Sequence, residues 1–193
     1  MQYRLNAAVH GLDGDPVGHL NRLIVSSGAQ EVTHLVVHTG WLFGDDRVVA
    51  VDHVEQAAED RITLFRTATD VSQLPLWTEV PTSAPDDHSA ILLLPSSSEE
   101  IVGGLPTQPQ QTAISAILLR EGVKVMAADG IEVGDLESVA TGSNATTITF
   151  LRIGRGLVTR ERRLVPISWV SQIGDDVVHL NVDESVVTDS LPL

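Results

Sequence analysis

Cysteine is absent from this chain of 193 residues, so neither disulfide bonds nor thiolate chemistry contributes to its structure or function. This absence indicates a reducing compartment. Long apolar runs are absent too, because residues 91–94 form a run far shorter than the roughly 20 residues that a membrane helix needs. The first six residues lack the basic flank and apolar stretch of a signal peptide. We therefore expect a cytoplasmic protein without a membrane span.

Basic residues are scarce, at 12 Lys and Arg against 26 Asp and Glu, which gives a net charge of −14. Proteins bind nucleic acids largely by placing Lys and Arg against phosphates, so this balance argues against a nucleic-acid partner. One window of twelve residues reverses the local charge, because it holds five arginines: Arg152, Arg155, Arg160, Arg162 and Arg163.

One segment of the chain occurs twice. Residues 13–20 return as residues 129–136, displaced by 116 positions. The same displacement gives 17 identities over the 56 positions from 9 to 64, without an insertion or a deletion. A match of this length indicates an internal duplication of one module.

Within each module the apolar pattern is typical of short β-strands. Residues 32–38 and 148–153, for example, are short and rich in β-branched side chains. The pairs Asp13-Gly14 and Asp129-Gly130 lie between such runs and predict tight hairpin turns. Gly18 and Gly134 fall inside the following strands and predict a bulge or a close backbone approach.

About five short, strongly bent strands per module predict an all-β fold of two tandem small β-barrels. A helical turn is expected after the last strand of each, within residues 69–74 and 183–191. The predicted modules are residues 1–77 and 113–193. Residues 78–112 form an acidic, Pro-rich connection, partly ordered because residues 90–94 and 114–119 are apolar enough for strands.

Both modules share the pattern Val-x-x-x-Asp-Gly-x-x-Val-Gly-x-Leu, which begins at Val9 and at Val125. The second module continues with Val-Pro-Ile-Ser-Trp-Val at residues 165–170 and Val-Val-His-Leu at residues 177–180. This order resembles the PRC-barrel family, which includes the cytoplasmic domain of the photosynthetic reaction-centre H subunit, the C-terminal domain of a ribosome-maturation factor and stand-alone bacterial proteins. In the first module Ala50 and His53 replace the Pro and the Trp of this motif.

The resemblance implies an assembly or docking module rather than an enzyme, and it implies no cofactor. The shared motif is structural, so no functional residue carries over from the family. The paired acids at 45–46, 86–87 and 175–176 lie in predicted turns, where solvated carboxylates do no acid–base work.

The arginine cluster is the first candidate contact surface, because guanidinium groups at a hairpin tip can bind carboxylates in a bidentate manner. Trp41 and Phe43 at another predicted tip form the second. A solvated hairpin tip and core packing are the alternatives at these positions. We expect binding to a protein partner or to a second copy of the chain.

A small-ligand or metal-binding sensor is the alternative function, since His34 and His38 share one face of a predicted strand. Phe150 and Gly154 take their places in the second module, so such a site is restricted to the first. Solvent-facing histidines are the simpler interpretation. An accessory role in ribosome or RNA maturation is a third hypothesis, which the acidity disfavours.

Overall fold

A computed structural model describes the chain over residues 1–26, 30–40, 44–77, 90–95, 111–156, 161–174 and 176–190. Over these ranges the protein is mostly β, as the sequence predicts. No helix within these ranges has the length and apolarity that crossing a membrane would require.

The first half of the chain contains seven strands and one short helix. They are β1 (Gln2–Arg4), β2 (Ala8–His10), β3 (Pro16–Ser26), β4 (Val32–Thr39), β5 (Asp46–Ala50), β6 (Val54–Ala57), β7 (Arg61–Leu64) and α1 (Ala68–Ser72). A 3₁₀ turn, Val51–His53, joins β5 to β6.

The rest of the chain contributes eight strands and a second short helix. They are β8 (Ala90–Pro95), β9 (Gln111–Arg120), β10 (Lys124–Met126), β11 (Glu132–Thr141), β12 (Ile148–Arg155), β13 (Glu161–Pro166), β14 (Val170–Ile173), β15 (Val177–Leu180) and α2 (Glu184–Asp189). A 3₁₀ turn, Ile167–Trp169, again joins two strands, β13 and β14. Both helices lie where the sequence predicts a helical turn.

The strands form two sheets with the same order. One sheet runs β5-β4-β3-β2-β7-β6 and the other runs β13-β12-β11-β10-β15-β14. In the described ranges no backbone pairing joins the two end strands of either sheet, so both sheets are open. The hydrogen bonding therefore does not close the barrels that the sequence predicts. Long strands such as β3 instead pair with different neighbours along their length, with β2 near one end and with β9 near the other.

Strand pairing in the two sheets is equivalent when residue numbers are shifted by 116, the displacement of the sequence repeat. Val9 pairs with Gly18 in the first sheet, and Val125 pairs with Gly134 in the second. The parallel pairing of β2 with β7 corresponds in the same way to that of β10 with β15. The register shifts also fall at equivalent places, directly after Val9 in the first sheet and directly after Val125 in the second.

The two halves exchange strands. β1 precedes the first sheet in the chain but pairs with β11 of the second, where Tyr3 lies opposite Val139. β9 pairs reciprocally with β3 of the first sheet, where Leu119 lies opposite Leu23. A bridge between Glu31 and Thr147 joins the halves where they meet. Each sheet is therefore completed by a strand from the other half.

The larger hydrophobic cluster of the described residues follows from this exchange. Its buried members come from both halves and include Tyr3, Leu23, Leu119 and Val139 from the exchanged strands and their partners. A smaller second cluster, centred on Ile24 and Val36, lies on the opposite face of the first sheet. Alternation of side chains along β3 and β4 produces these two clusters, because successive residues face opposite sides.

Candidate interaction and binding sites

The Asp-Gly pairs form equivalent turns in the two halves. Gly14 and Gly130 both have φ of 80°, a conformation that glycine adopts at low cost. The carboxylate of Asp13 accepts a hydrogen bond from the amide of Asp15, and Asp129 accepts one from Ile131. These side chains thus stabilise their own turns.

Gly18 and Gly134 lie where two neighbouring strands approach closely. A Cβ atom at Gly18 would lie 1.9 Å from the carbonyl oxygen of His38, and one at Gly134 would lie 2.7 Å from that of Gly154. Any larger residue would therefore push β3 away from β4, or β11 away from β12.

The structure distributes the arginines over the two faces of the β12–β13 hairpin. In the register of this pair Arg152 lies opposite Leu164, while Arg155 lies opposite Glu161. Since side chains alternate along a strand, Arg152 and Arg162 project from one face, and Arg155 and Arg163 from the other. The sequence window therefore does not form a single basic patch.

Arg152 and Arg163 are largely buried, with side chains only 16% exposed. Arg152 pairs with Glu59, which lies in the β6–β7 turn of the other half. This hydrogen bond and the charge of Arg152 lower the pKa of the Glu59 carboxyl. Arg163 donates hydrogen bonds to the carbonyls of Val187, Thr188 and Ser190 at the end of α2. Arg152 thus links the two halves of the chain, and Arg163 links β13 to the end of α2.

Arg155 and Arg162 are the more exposed members, at 54% and 42%. Arg155 lies 2.9 Å from a carboxylate oxygen of Glu184, and Arg162 lies 3.1 Å from one of Glu137. They flank the tip between β12 and β13. Arg160 follows β12 and precedes β13 in the sequence, but it lies outside the described residues, as do Trp41 and Phe43.

The structure gives His34 and His38 different surroundings. Four residues along a strand correspond to about 13 Å, which is too far for two side chains to share one metal ion. His34 is mostly buried, and this burial lowers the pKa of its imidazole, while Asp52 opposes that shift. His38 lies with other polar groups at the opposite end of β4. In the described ranges, no group of three or more His, Asp or Glu side chains is arranged to hold a metal ion.

His38 belongs to a hydrogen-bonded polar group that the sequence analysis did not identify. Its Nδ1 lies 2.8 Å from Oδ1 of Asp46, and the amide of Asn21 donates to Oδ2 of the same carboxylate at 3.0 Å. His19 lies directly opposite His38 in the β3–β4 register. Both histidines line an open cavity of about 450 Å³, whose other lining residues are Asn6, Leu20, Asn21, Arg120 and Glu121.

The second half has different residues at the positions that correspond to Asp46 and Asn21. At the displacement of the repeat, Arg162 replaces Asp46 and Glu137 replaces Asn21, and these two residues form an ion pair. Asp135 and Gly154 replace the two histidines. The polar cavity is therefore a feature of the first half.

No model of a protein family matches the chain, and no curated protein matches it either.

Proposed function

We propose that this protein is a non-catalytic assembly module built from two PRC-barrel-like units related by internal duplication. The coincidence of strand order, register and register shifts at a displacement of 116 positions supports the duplication. The recurrence of a 3₁₀ turn, a short antiparallel pair and a short helix after β5 and β13 supports it further.

The assembly role consists in docking onto a protein partner that presents carboxylates. The observation that carries this proposal is the exposure of Arg155 and Arg162 beside the β12–β13 tip. The ion pair of Arg155 with Glu184 lies nearer the surface, and surface pairs contribute only about 0–1 kcal/mol, whereas the Glu137 carboxylate that Arg162 contacts is buried. A partner's carboxylate can therefore replace Glu184 on Arg155 at small cost, while Arg162 is expected to keep its contact with the buried Glu137.

Affinity capture from the protein's own host tests the docking role. The full chain is compared with a variant in which Arg155, Arg160 and Arg162 are changed to Ala. We expect a stoichiometric protein, or a second copy of the chain seen by native mass spectrometry, to be lost in the variant. Loss is expected because charged contacts at the tip would hold it.

The matched control changes Arg61 and Arg66 to Ala, since both are exposed arginines in the first half. The control variant should keep the partner. Retention of the same partner by the triple variant would contradict the role of the tip. A bare monomer without any partner in all samples would contradict the docking function itself.

A small-ligand or metal-binding sensor is the second candidate function. The cavity beside His19 and His38 favours it, because several hydrogen-bonding side chains converge on one open space. This candidate is independent of the arginine tip, so the two functions can be tested separately.

A further inference from the structure

His19 and His38 form a cross-strand pair with their side chains on one face of the first sheet. Residues directly opposite each other in antiparallel strands have Cβ atoms about 5 Å apart. Both imidazoles line the same open cavity. Two rings at this separation can turn their nitrogen atoms toward one point between them, which the four-residue spacing of His34 and His38 along β4 does not allow.

Resting on the second candidate function, we propose that His19 and His38 bind one divalent transition-metal ion through their imidazole nitrogens, while the Asp46 carboxylate contacts His38 and orients its ring. Imidazole is a preferred ligand of Zn²⁺, Cu²⁺ and Ni²⁺. Two protein ligands leave the remaining coordination positions to water or to a ligand in the cavity. The site therefore binds metal in an open, exchangeable manner.

The contact with Asp46 selects the nitrogen of His38 that faces the metal. When Nδ1–H donates to Oδ1 of Asp46 at 2.8 Å, the lone pair of the neutral ring lies on Nε2. A carboxylate behind the ring is the usual outer-shell partner of a metal-binding histidine, because it fixes the tautomer and raises the basicity of the ring. Asn21 in turn holds the Asp46 carboxylate from its other oxygen.

The charges around the cavity favour a cation. Asp46 contacts His38 and Glu121 lines the cavity, which gives two carboxylates, whereas Arg120, which also lines the cavity, is paired with a third carboxylate, that of Asp176. The surroundings therefore carry net negative charge, which lowers the free energy of a bound divalent ion. In the second half Arg162 takes the place of Asp46 and would repel such an ion.

Isothermal titration calorimetry of the full, tag-free chain with Zn²⁺ at pH 7.5 tests the site. We expect one equivalent to bind the unaltered protein with micromolar affinity. His19→Ala and His38→Ala should each weaken binding at least tenfold, and Asp46→Asn about 10-fold or more, as outer-shell changes commonly do. His34→Ala and His179→Ala are the matched controls, because neither residue lines the cavity, and they should bind as the unaltered chain does.

Electron paramagnetic resonance with Cu²⁺ provides a readout that a general loss of stability would not reproduce. Coupling to two nitrogen ligands is expected in the unaltered chain and to one in His19→Ala, which circular dichroism should show to be folded because His19 is exposed. Unchanged affinity in both His19→Ala and His38→Ala would overturn the proposal. So would a loss of binding in His34→Ala alone, or no saturable binding up to about 1 mM Zn²⁺.

Discussion

Arg47 and Arg163 have the same role in the two halves. Arg47 donates to the carbonyl of Leu74 at 2.7 Å, and Arg163 donates to that of Ser190 at 2.8 Å. Each guanidinium joins the third-last strand of its half, β5 or β13, to the end of the short helix that follows. An arginine at both positions of the repeat is thus explained by structure, since only a guanidinium offers several donors in a fixed fork.

Replacing Arg163 by Ala is expected to destabilise the fold by about 1–3 kcal/mol. The reason is the loss of charged hydrogen bonds to carbonyls at the end of α2, made by a side chain that is mostly buried. Urea denaturation followed by circular dichroism measures this change in the free energy of unfolding.

Arg155→Ala is the control for that measurement. Its side chain is exposed and makes one surface ion pair, so its cost should stay within about 0–1 kcal/mol. An equal loss in the free energy of unfolding for the two variants would show that the hydrogen bonds of Arg163 to the end of α2 do not stabilise the fold in solution.

The element that links the two halves most directly is β1. Its three residues lie against β11, and Tyr3 between them is fully buried. The hydroxyl of Tyr3 donates to the carbonyl of Ala145. Burial raises the pKa of this phenol to about 12, from a usual value of 10.0. Deprotonation would place an anion inside the shared core.

Alkaline titration of the folded protein, followed by tyrosinate absorbance at 295 nm, should therefore show a midpoint near pH 12. Tyr3 is the only tyrosine of the chain, so the signal needs no deconvolution. The contribution of Tyr3 to stability is fully present below pH 10 and is lost as the pH rises toward 12, because only the unfolded chain ionises readily in that range.

The same titration in concentrated urea is the control, and its midpoint should fall near 10. A midpoint near 10 under native conditions would mean that β1 does not bury Tyr3 against β11.

At the scale of the whole molecule, the strand exchange makes the halves interdependent. The first sheet needs β9 on β3, and the second needs β1 on β11. An uncovered β3 or β11 would expose unpaired backbone groups and apolar side chains to water.

Cutting the chain between residues 77 and 90 tests this dependence. We expect the two fragments to fold poorly when expressed alone, and to recover the circular dichroism spectrum of the intact protein as a 1:1 complex when mixed. Analytical ultracentrifugation measures the stoichiometry. The uncut chain at the same concentration is the reference.

Independent folding of both fragments as stable monomers would rule out the exchange. A homodimer of the C-terminal fragment would be compatible with it, because residues 118–120 of one copy can take the place of β1 on β11 of the other. The registers on β3 and β11 are equivalent and allow this substitution.

The sequence by itself determined the β class, the repeat, the turns at Asp13-Gly14 and Asp129-Gly130, and the short helices. These features depend on interactions between residues close in the chain, or on the recurrence of one pattern. Turn residues and alternation act locally and leave a signal that can be read directly.

The tertiary structure alone decided the exchange of β1 and β9, the internal partners of the arginines and the pairing of His19 with His38. Each depends on register between distant segments, and the register of β3 on β4 shifts between Leu20 and Arg22 and again after Ile24. Such shifts change which residues lie opposite each other without changing the local pattern. The polar cavity arises from that long-range alignment, so the sequence revealed its histidines but not their contacts.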